Sequence, residues 1–109
     1  REMLDLYIEH GIKEHHTGGL ALACSPRHEA SLFMGGLHYD PWPLLPKVSC
    51  PALVLEGELS ENRAFIDLKK ATSSMKHAEY RLIEGAGHLI PMEKPGEIAG
   101  IIRGFFEDT

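Results

Sequence analysis

The chain has 109 residues, 43% hydrophobic and 25% charged, which is typical of one soluble globular domain with a modest core. Its net charge of −5 argues against nucleic acid or an anionic membrane as the main partner. No apolar run approaches the roughly 20 residues of a membrane-spanning helix, and no leader peptide pattern opens the chain. Its cysteines, Cys24 and Cys50, are too few for a disulfide framework and are expected to be reduced thiols in a cytoplasmic protein.

The chain begins with a predicted helix and a hairpin. Apolar residues between Met3 and His10 share one helical face, and Gly11 provides a C-terminal stop. The turn signal Thr17-Gly18-Gly19 then lies between two short runs and predicts a hairpin that ends near Cys24.

A second helix and a connector complete residues 1–47, which we expect to form one segment. Ser25-Pro26 begins the helix, with the serine as its N-cap and the proline in its first turn. The four prolines in the stretch from Asp40 through Pro51 then predict an extended connector, because proline cannot join the interior of a sheet.

Residues 48–109 alternate between strand and helix patterns. The predicted elements are two apolar strands, each followed by a helix: Ala52–Leu55, Arg63–Met75, Ala78–Ile83 and Pro95–Phe106. Two apolar strands joined by a helix predict a βαβα unit of a parallel sheet.

The loop after the second strand carries the candidate catalytic residue. The stretch from Leu82 to Pro95 reads L-I-E-G-A-G-H-L-I-P-M-E-K-P and places His88 directly after a strand. Gly85 and Gly87 allow the backbone to turn sharply or to pass close to a neighbour. Catalytic side chains are often presented on such loops, and histidine is the commonest general base. The pattern therefore predicts that His88 is a proton acceptor.

The same residues carry a resemblance. Cys50 to Glu58, C-P-A-L-V-L-E-G-E, precedes G-A-G-H by about one crossover, and Glu93 and Pro95 follow the histidine. In this combination they resemble the C-terminal end of the α/β-hydrolase fold family. The resemblance implies an α/β fold whose last two strands, triad-histidine loop and final helix lie in residues 48–109.

Before Val48 the resemblance is looser. The run T-G-G-L-A-L-A-C-S-P-R-H-E-A is similar to the lid segment that some members of the family insert before the penultimate strand. The resemblance therefore implies that residues 1–47 are a lid-like helical segment.

The resemblance also implies residue roles. His88 would take a proton from a nucleophile and return it to the leaving group, in hydrolysis of an ester or related acyl substrate. Many members place the triad acid at the position that Ser60 occupies here. Glu61 lies beside it and is the candidate acid in this chain, Glu58 being a weaker choice. In other members the acid follows the preceding strand, which would lie before Arg1.

The family's nucleophile elbow, G-x-S-x-G, does not occur in this sequence. We therefore expect a hydrolase portion that is inactive alone and associates with a missing N-terminal half or with a second copy. Its expected partner is a small-molecule substrate, with Trp42 and Leu89 as contacts. No metal or cofactor is expected, because the histidines lack the spacing of metal ligands. The alternative is a non-catalytic binding or assembly module, which Ser60 in the acid position favours.

Overall fold

A computed structural model of the chain describes residues 2–107, with the side chain of Leu37 excepted. The chain divides into two compact units, Arg1–Asp40 and Pro41–Thr109. This division falls at the start of the proline-rich segment, whereas the boundary expected from the sequence falls between residues 47 and 48. Within residues 2–107, no helix is both long and apolar enough to cross a bilayer.

The first unit follows the predicted order of elements. These are α1 (Glu2–Gly11), β1 (Ile12–Glu14), β2 (Leu20–Leu22) and α2 (Pro26–His38). The strands pair antiparallel, with Ile12 opposite Leu22, and the turn between them uses positive φ angles of 92° at Gly18 and 82° at Gly19. The Ser25 hydroxyl caps α2 by accepting a hydrogen bond of 3.3 Å from the His28 amide. The predicted helix, hairpin and capped helix are confirmed.

The second unit contains a two-stranded parallel sheet. Its elements are a 3-10 helix (Trp42–Lys47), β3 (Ala52–Gly57), a second 3-10 helix (Glu61–Ala64), α3 (Leu68–Ser73), β4 (Ala78–Ile83), α4 (Ile90–Glu93) and α5 (Pro95–Glu107). The two strands pair in register from Ala52 opposite Ala78 to Gly57 opposite Ile83. The predicted α/β class with a parallel βαβα unit is confirmed.

Two predicted elements differ from the structure. The connector expected to be extended forms the 3-10 helix Trp42–Lys47, which closes with a hydrogen bond of 3.1 Å from the Val48 amide to the Leu45 carbonyl. The helix expected over Arg63–Met75 is divided, because the Asp67 carboxylate accepts a hydrogen bond of 2.8 Å from the Lys70 amide. This cap begins α3 at Leu68 and separates it from the preceding 3-10 helix.

The core of the second unit is small and lies beneath the histidine loop. Its buried apolar residues are Ile83, Ala86, Ile90 and Ile98, and Leu55 and Ile101 pack against them. The i, i+3, i+4 spacing of apolar residues in Pro95–Phe106 predicts that Ile102 and Phe106 are buried with Ile98, but they are 42% and 72% exposed. The core therefore uses only part of the apolar face of α5, where Ile98 meets the residues that flank His88.

Candidate active site

His88 lies at the carboxyl end of both parallel strands, because β3 ends at Gly57 and β4 ends at Ile83. The histidine loop crosses the end of β3 in close contact with its backbone. A Cβ atom placed on Gly57 would lie 1.9 Å from the Gly87 carbonyl oxygen and 2.6 Å from that of Ala86. Only glycine fits at residue 57, since real Cβ atoms do not approach so closely.

Hydrogen bonds hold the loop at the strand ends. The Leu59 amide donates to the Ala86 carbonyl at 2.8 Å. The Glu58 carboxylate accepts from the Gly85 amide at 2.8 Å, and the Glu93 carboxylate accepts from the Gly87 amide at 2.7 Å. Each of the two loop glycines therefore has its N–H bound to a carboxylate, a strong type of hydrogen bond that fixes the path of the loop.

The His88 ring contacts two polar side chains from the segment after β3. Its Nδ1 atom lies 3.3 Å from the Ser60 hydroxyl, and the Asn62 amide nitrogen lies 3.2 Å from Nδ1 and 3.2 Å from Nε2. Ser60 is 8% exposed, whereas His88 itself is exposed. A side-chain NH₂ group can only donate, so Asn62 pairs with whichever ring nitrogen lacks a proton.

The other residues expected at the site are placed around this centre rather than on the ring. Glu61 begins the 3-10 helix Glu61–Ala64, and no hydrogen bond or ion pair in the described part of the chain joins it to His88. Leu89 follows His88 and is 56% exposed. Trp42 lies in the first 3-10 helix, where the Lys70 ammonium stands 5.6 Å from its ring centroid.

A pocket of about 230 Å³ opens beside the ring. It is lined by polar and apolar residues that include Leu55, Glu56, Ser60, Asn62, Ile66 and His88. Trp42 and Leu89 are not among its lining residues. The volume lies below the range of about 300 to 1,000 Å³ typical of small-molecule sites, so this pocket accommodates only a small chemical group.

A buried carboxylate lines the same pocket. Glu56 is 7% exposed and accepts a hydrogen bond from the Tyr80 hydroxyl, while Arg63 Nε lies 3.5 Å from the same carboxylate. The hydrogen bond to Glu56 raises the pKa of Tyr80, and burial and the negative charge of Glu56 act in the same direction.

Sequence reasoning missed the pairing of Asn62 with the ring and the contacts of Glu56. The detectable signal was Glu56 itself, a carboxylate inside an apolar strand. Such a residue needs partners when it is buried. Across residues 2–107, no group of three or more His, Cys, Asp or Glu side chains is arranged to hold a metal ion.

Two solved structures match the chain. A thermophilic esterase from Thermogutta terrifontis is 30% identical, with a TM-score of 0.69, over 80% of this chain and 32% of the esterase. The hydrolase of E-2-(acetamidomethylene)succinate is 23% identical, with a TM-score of 0.69, over 91% of this chain and 36% of that hydrolase. Both have the α/β-hydrolase fold. This chain has the fold of the C-terminal part of an α/β-hydrolase.

The chain spans about a third of the length of these two neighbours. Comparisons with protein-family models and with curated protein sequences give no match. In open parallel sheets, ligands bind at the carboxyl ends of the strands. The His88 loop of this chain lies at that edge of β3 and β4.

Proposed function

We propose that the chain is the portion of an α/β-hydrolase that supplies the histidine for hydrolysis of an ester or related acyl substrate. The observation that carries the proposal is the position of His88, held at the carboxyl ends of two parallel strands with Nδ1 3.3 Å from the Ser60 hydroxyl. The two structural neighbours, an esterase and a succinate-derivative hydrolase, support the same class of reaction.

The ring can act as a base in one of its neutral tautomers. When Nδ1 carries the proton and donates a hydrogen bond to the Ser60 hydroxyl, Nε2 is the basic nitrogen. Nε2 then exchanges its contact with the Asn62 amide for the proton of a nucleophile's hydroxyl or thiol. The nucleophile then forms an acyl bond with the substrate carbonyl carbon, and the imidazolium returns the proton to the leaving group. Water repeats the cycle: His88 takes its proton, hydroxide attacks the acyl carbon, and the nucleophile recovers the proton.

The nucleophile elbow is absent from this sequence, so we propose that a further hydrolase half supplies it. That half would be joined to the chain in one polypeptide or associated with it as a separate one. β3 supports this part of the proposal: it pairs along one edge with β4, and its apolar residues remain partly exposed. An unpaired strand edge is a template for pairing with further strands.

We propose that the acid is either Glu61 or a residue of the other half. Glu61 lies one residue beyond Ser60 in the segment that contacts the ring. We also propose that residues 1–47 are a lid segment and that Trp42 and Leu89 contact the substrate. The exposure of Leu89 directly after His88 supports its assignment.

A second candidate is a binding or assembly module that kept the fold without the chemistry. One observation favours it: Nδ1 of His88 is paired with the hydroxyl of Ser60, which carries no charge to stabilise an imidazolium. Ligand binding without turnover in the complete protein would support this candidate over the hydrolase.

The first test is an intact mass of the native protein under denaturing conditions, compared with the 12.1 kDa of this chain. A larger polypeptide, or a second one that copurifies, identifies the material for assay with chromogenic short-chain esters. In that protein His88→Ala should lower turnover by about 1,000-fold or more, because the proton acceptor is lost.

The matched control is His77→Ala, which removes an exposed histidine just before β4. This variant should retain turnover, and far-ultraviolet circular dichroism should show both variants folded. Unchanged turnover in His88→Ala would remove His88 from the mechanism.

A further inference from the structure

Arg63 connects three parts of the second unit through one side chain. It lies in the 3-10 helix Glu61–Ala64, directly after Asn62. Its Nε atom lies 3.5 Å from the Glu56 carboxylate in β3, and its Nη1 atom donates a hydrogen bond of 2.9 Å to the Glu58 backbone carbonyl. One guanidinium therefore binds both the last part of β3 and the turn that leaves it, a bridging role that its fixed fork of donors suits.

The Glu56 end of this bridge is fixed. Glu56 is 7% exposed and its carboxylate is also bound by the Tyr80 hydroxyl from the neighbouring strand. A buried carboxylate that is paired with a guanidinium and also bound by a hydroxyl has little freedom to move, and the guanidinium alone still balances its charge when the hydroxyl is removed. The position of Arg63 is thus set by the paired strands.

The other end of the bridge carries the partners of the histidine. Ser60 precedes the 3-10 helix as its N-cap, and Asn62 lies in its first turn. The helix has four residues and no side-chain hydrogen bond at its cap. Short 3-10 helices have weak internal hydrogen-bond geometry, so its placement depends on outside contacts such as those of Arg63.

We propose that Arg63 is a positioning residue, which holds the 3-10 helix on the end of β3 and thereby keeps Ser60 and Asn62 against the His88 ring. The inference rests on the proposed function for its effect on turnover, but not for its effect on the ring. Without Arg63, the two polar partners lose their fixed distance from Nδ1 and Nε2. The ring then exchanges between tautomers and orientations, and fewer molecules hold Nδ1–H against Ser60 with Nε2 directed to the nucleophile.

The test compares two variants that disturb the same carboxylate. Arg63→Met removes both contacts of the guanidinium and keeps an unbranched side chain. Tyr80→Phe removes the other donor to Glu56 and leaves Arg63 bound to Glu56 and to the Glu58 carbonyl. Arg103→Met, on the exposed side of α5, controls for the loss of an arginine.

The first readout is the set of nitrogen NMR shifts of the His88 ring, which report its tautomer and hydrogen bonds. We expect Arg63→Met to change them, and Tyr80→Phe and Arg103→Met to leave them close to the parent. In the complete protein, Arg63→Met should also lower kcat by roughly tenfold or more with little change in KM. If Arg63→Met fails to fold, Arg63→Lys keeps the charge without the fork and should shift the ring signals in the same direction.

Ring signals that are the same in folded Arg63→Met or Arg63→Lys as in Arg103→Met would overturn the inference. An equal change in Tyr80→Phe would also overturn it, because the effect would then come from Glu56 and not from the helix. A different result would contradict the proposed function, namely turnover that survives His88→Ala. That result does not depend on the ring signals of the Arg63 variants.

Discussion

The two units of the chain share helix patterns and turn signals but differ in how they are held together. In the first unit, no residue between 2 and 40 whose burial is described is buried, and Phe33 of α2 is 73% exposed. In the second, four apolar side chains are buried at the point where β3, β4, α4 and α5 meet. The two units also differ in how far apart in the sequence their contacting residues lie.

The contacts of the first unit are local, and those of the second are not. The described hairpin closes with hydrogen bonds between neighbours, such as His15 to Gly19 at 2.9 Å. In the second unit the Leu59 amide reaches the Ala86 carbonyl, and Asn62 reaches His88. Contacts across such separations bury side chains from several elements at once. The rigidity that a catalytic side chain needs is therefore found in the second unit.

The strongest test of this difference between the units is to add one methyl group in each of them. Gly57→Ala should destabilise the protein by about 3 kcal/mol or more, because the new Cβ would meet the Gly87 carbonyl oxygen at 1.9 Å. The effect should also displace the His88 loop. Chemical denaturation measures the free energy of unfolding.

Gly36→Ala is the matched change in the first unit. A Cβ at this position in α2 has nothing within 4 Å, so the substitution should stabilise the helix by about 0.5 to 1 kcal/mol. A Gly57→Ala protein as stable as the parent would mean that the loop does not lie against β3.

A smaller effect is expected from shortening one side chain in each unit. Ile98 is 3% exposed in the core beneath the loop, and Ile98→Ala should cost about 2 kcal/mol or more from lost burial and the cavity left behind. Phe33→Ser, at a site that is 73% exposed, should change stability by less than about 0.5 kcal/mol. Thermal unfolding followed by circular dichroism compares the two, and equal losses would remove the distinction between the units.

The sequence predicted those features of the fold that depend on local patterns. Apolar periodicity located α1, α5 and both parallel strands, and Ser25-Pro26 located the start of α2, because each signal lies within the element that it specifies. The helix after β3 was predicted too long. Its division depends on the Asp67 cap and on the contacts of Arg63 with Glu56 and Glu58, the last two of which exist only once β3 has formed.

The site was predictable to the same extent. The glycines around His88 indicated a loop at the end of a strand, and the loop lies there. The contact between Asn62 and His88 spans 26 residues and follows from the register of β3 with β4, which no local pattern encodes. The sequence predicts Glu61 as the acid because it carries a charge beside Ser60, whereas the residues that contact the ring are the neutral Ser60 and Asn62.

The smallest expected effect is a pH dependence of stability that arises in the second unit, at Tyr80, and not in the first. The bond to Glu56 raises the pKa of Tyr80 above 10.0, so the folded state holds this proton more tightly than the unfolded state. The resulting stability is complete below pH 10.0 and is lost as pH rises through the folded pKa. Tyr80→Phe should lower the free energy of unfolding by about 1 kcal/mol at neutral pH. This difference from the parent should shrink as the pH rises above 10.0. Tyr39→Phe, at an 80% exposed position of the first unit, should cost little at either pH. Denaturant unfolding at neutral and alkaline pH measures both variants, and a Tyr80→Phe difference that stays constant with pH would show that the hydroxyl does not bind Glu56.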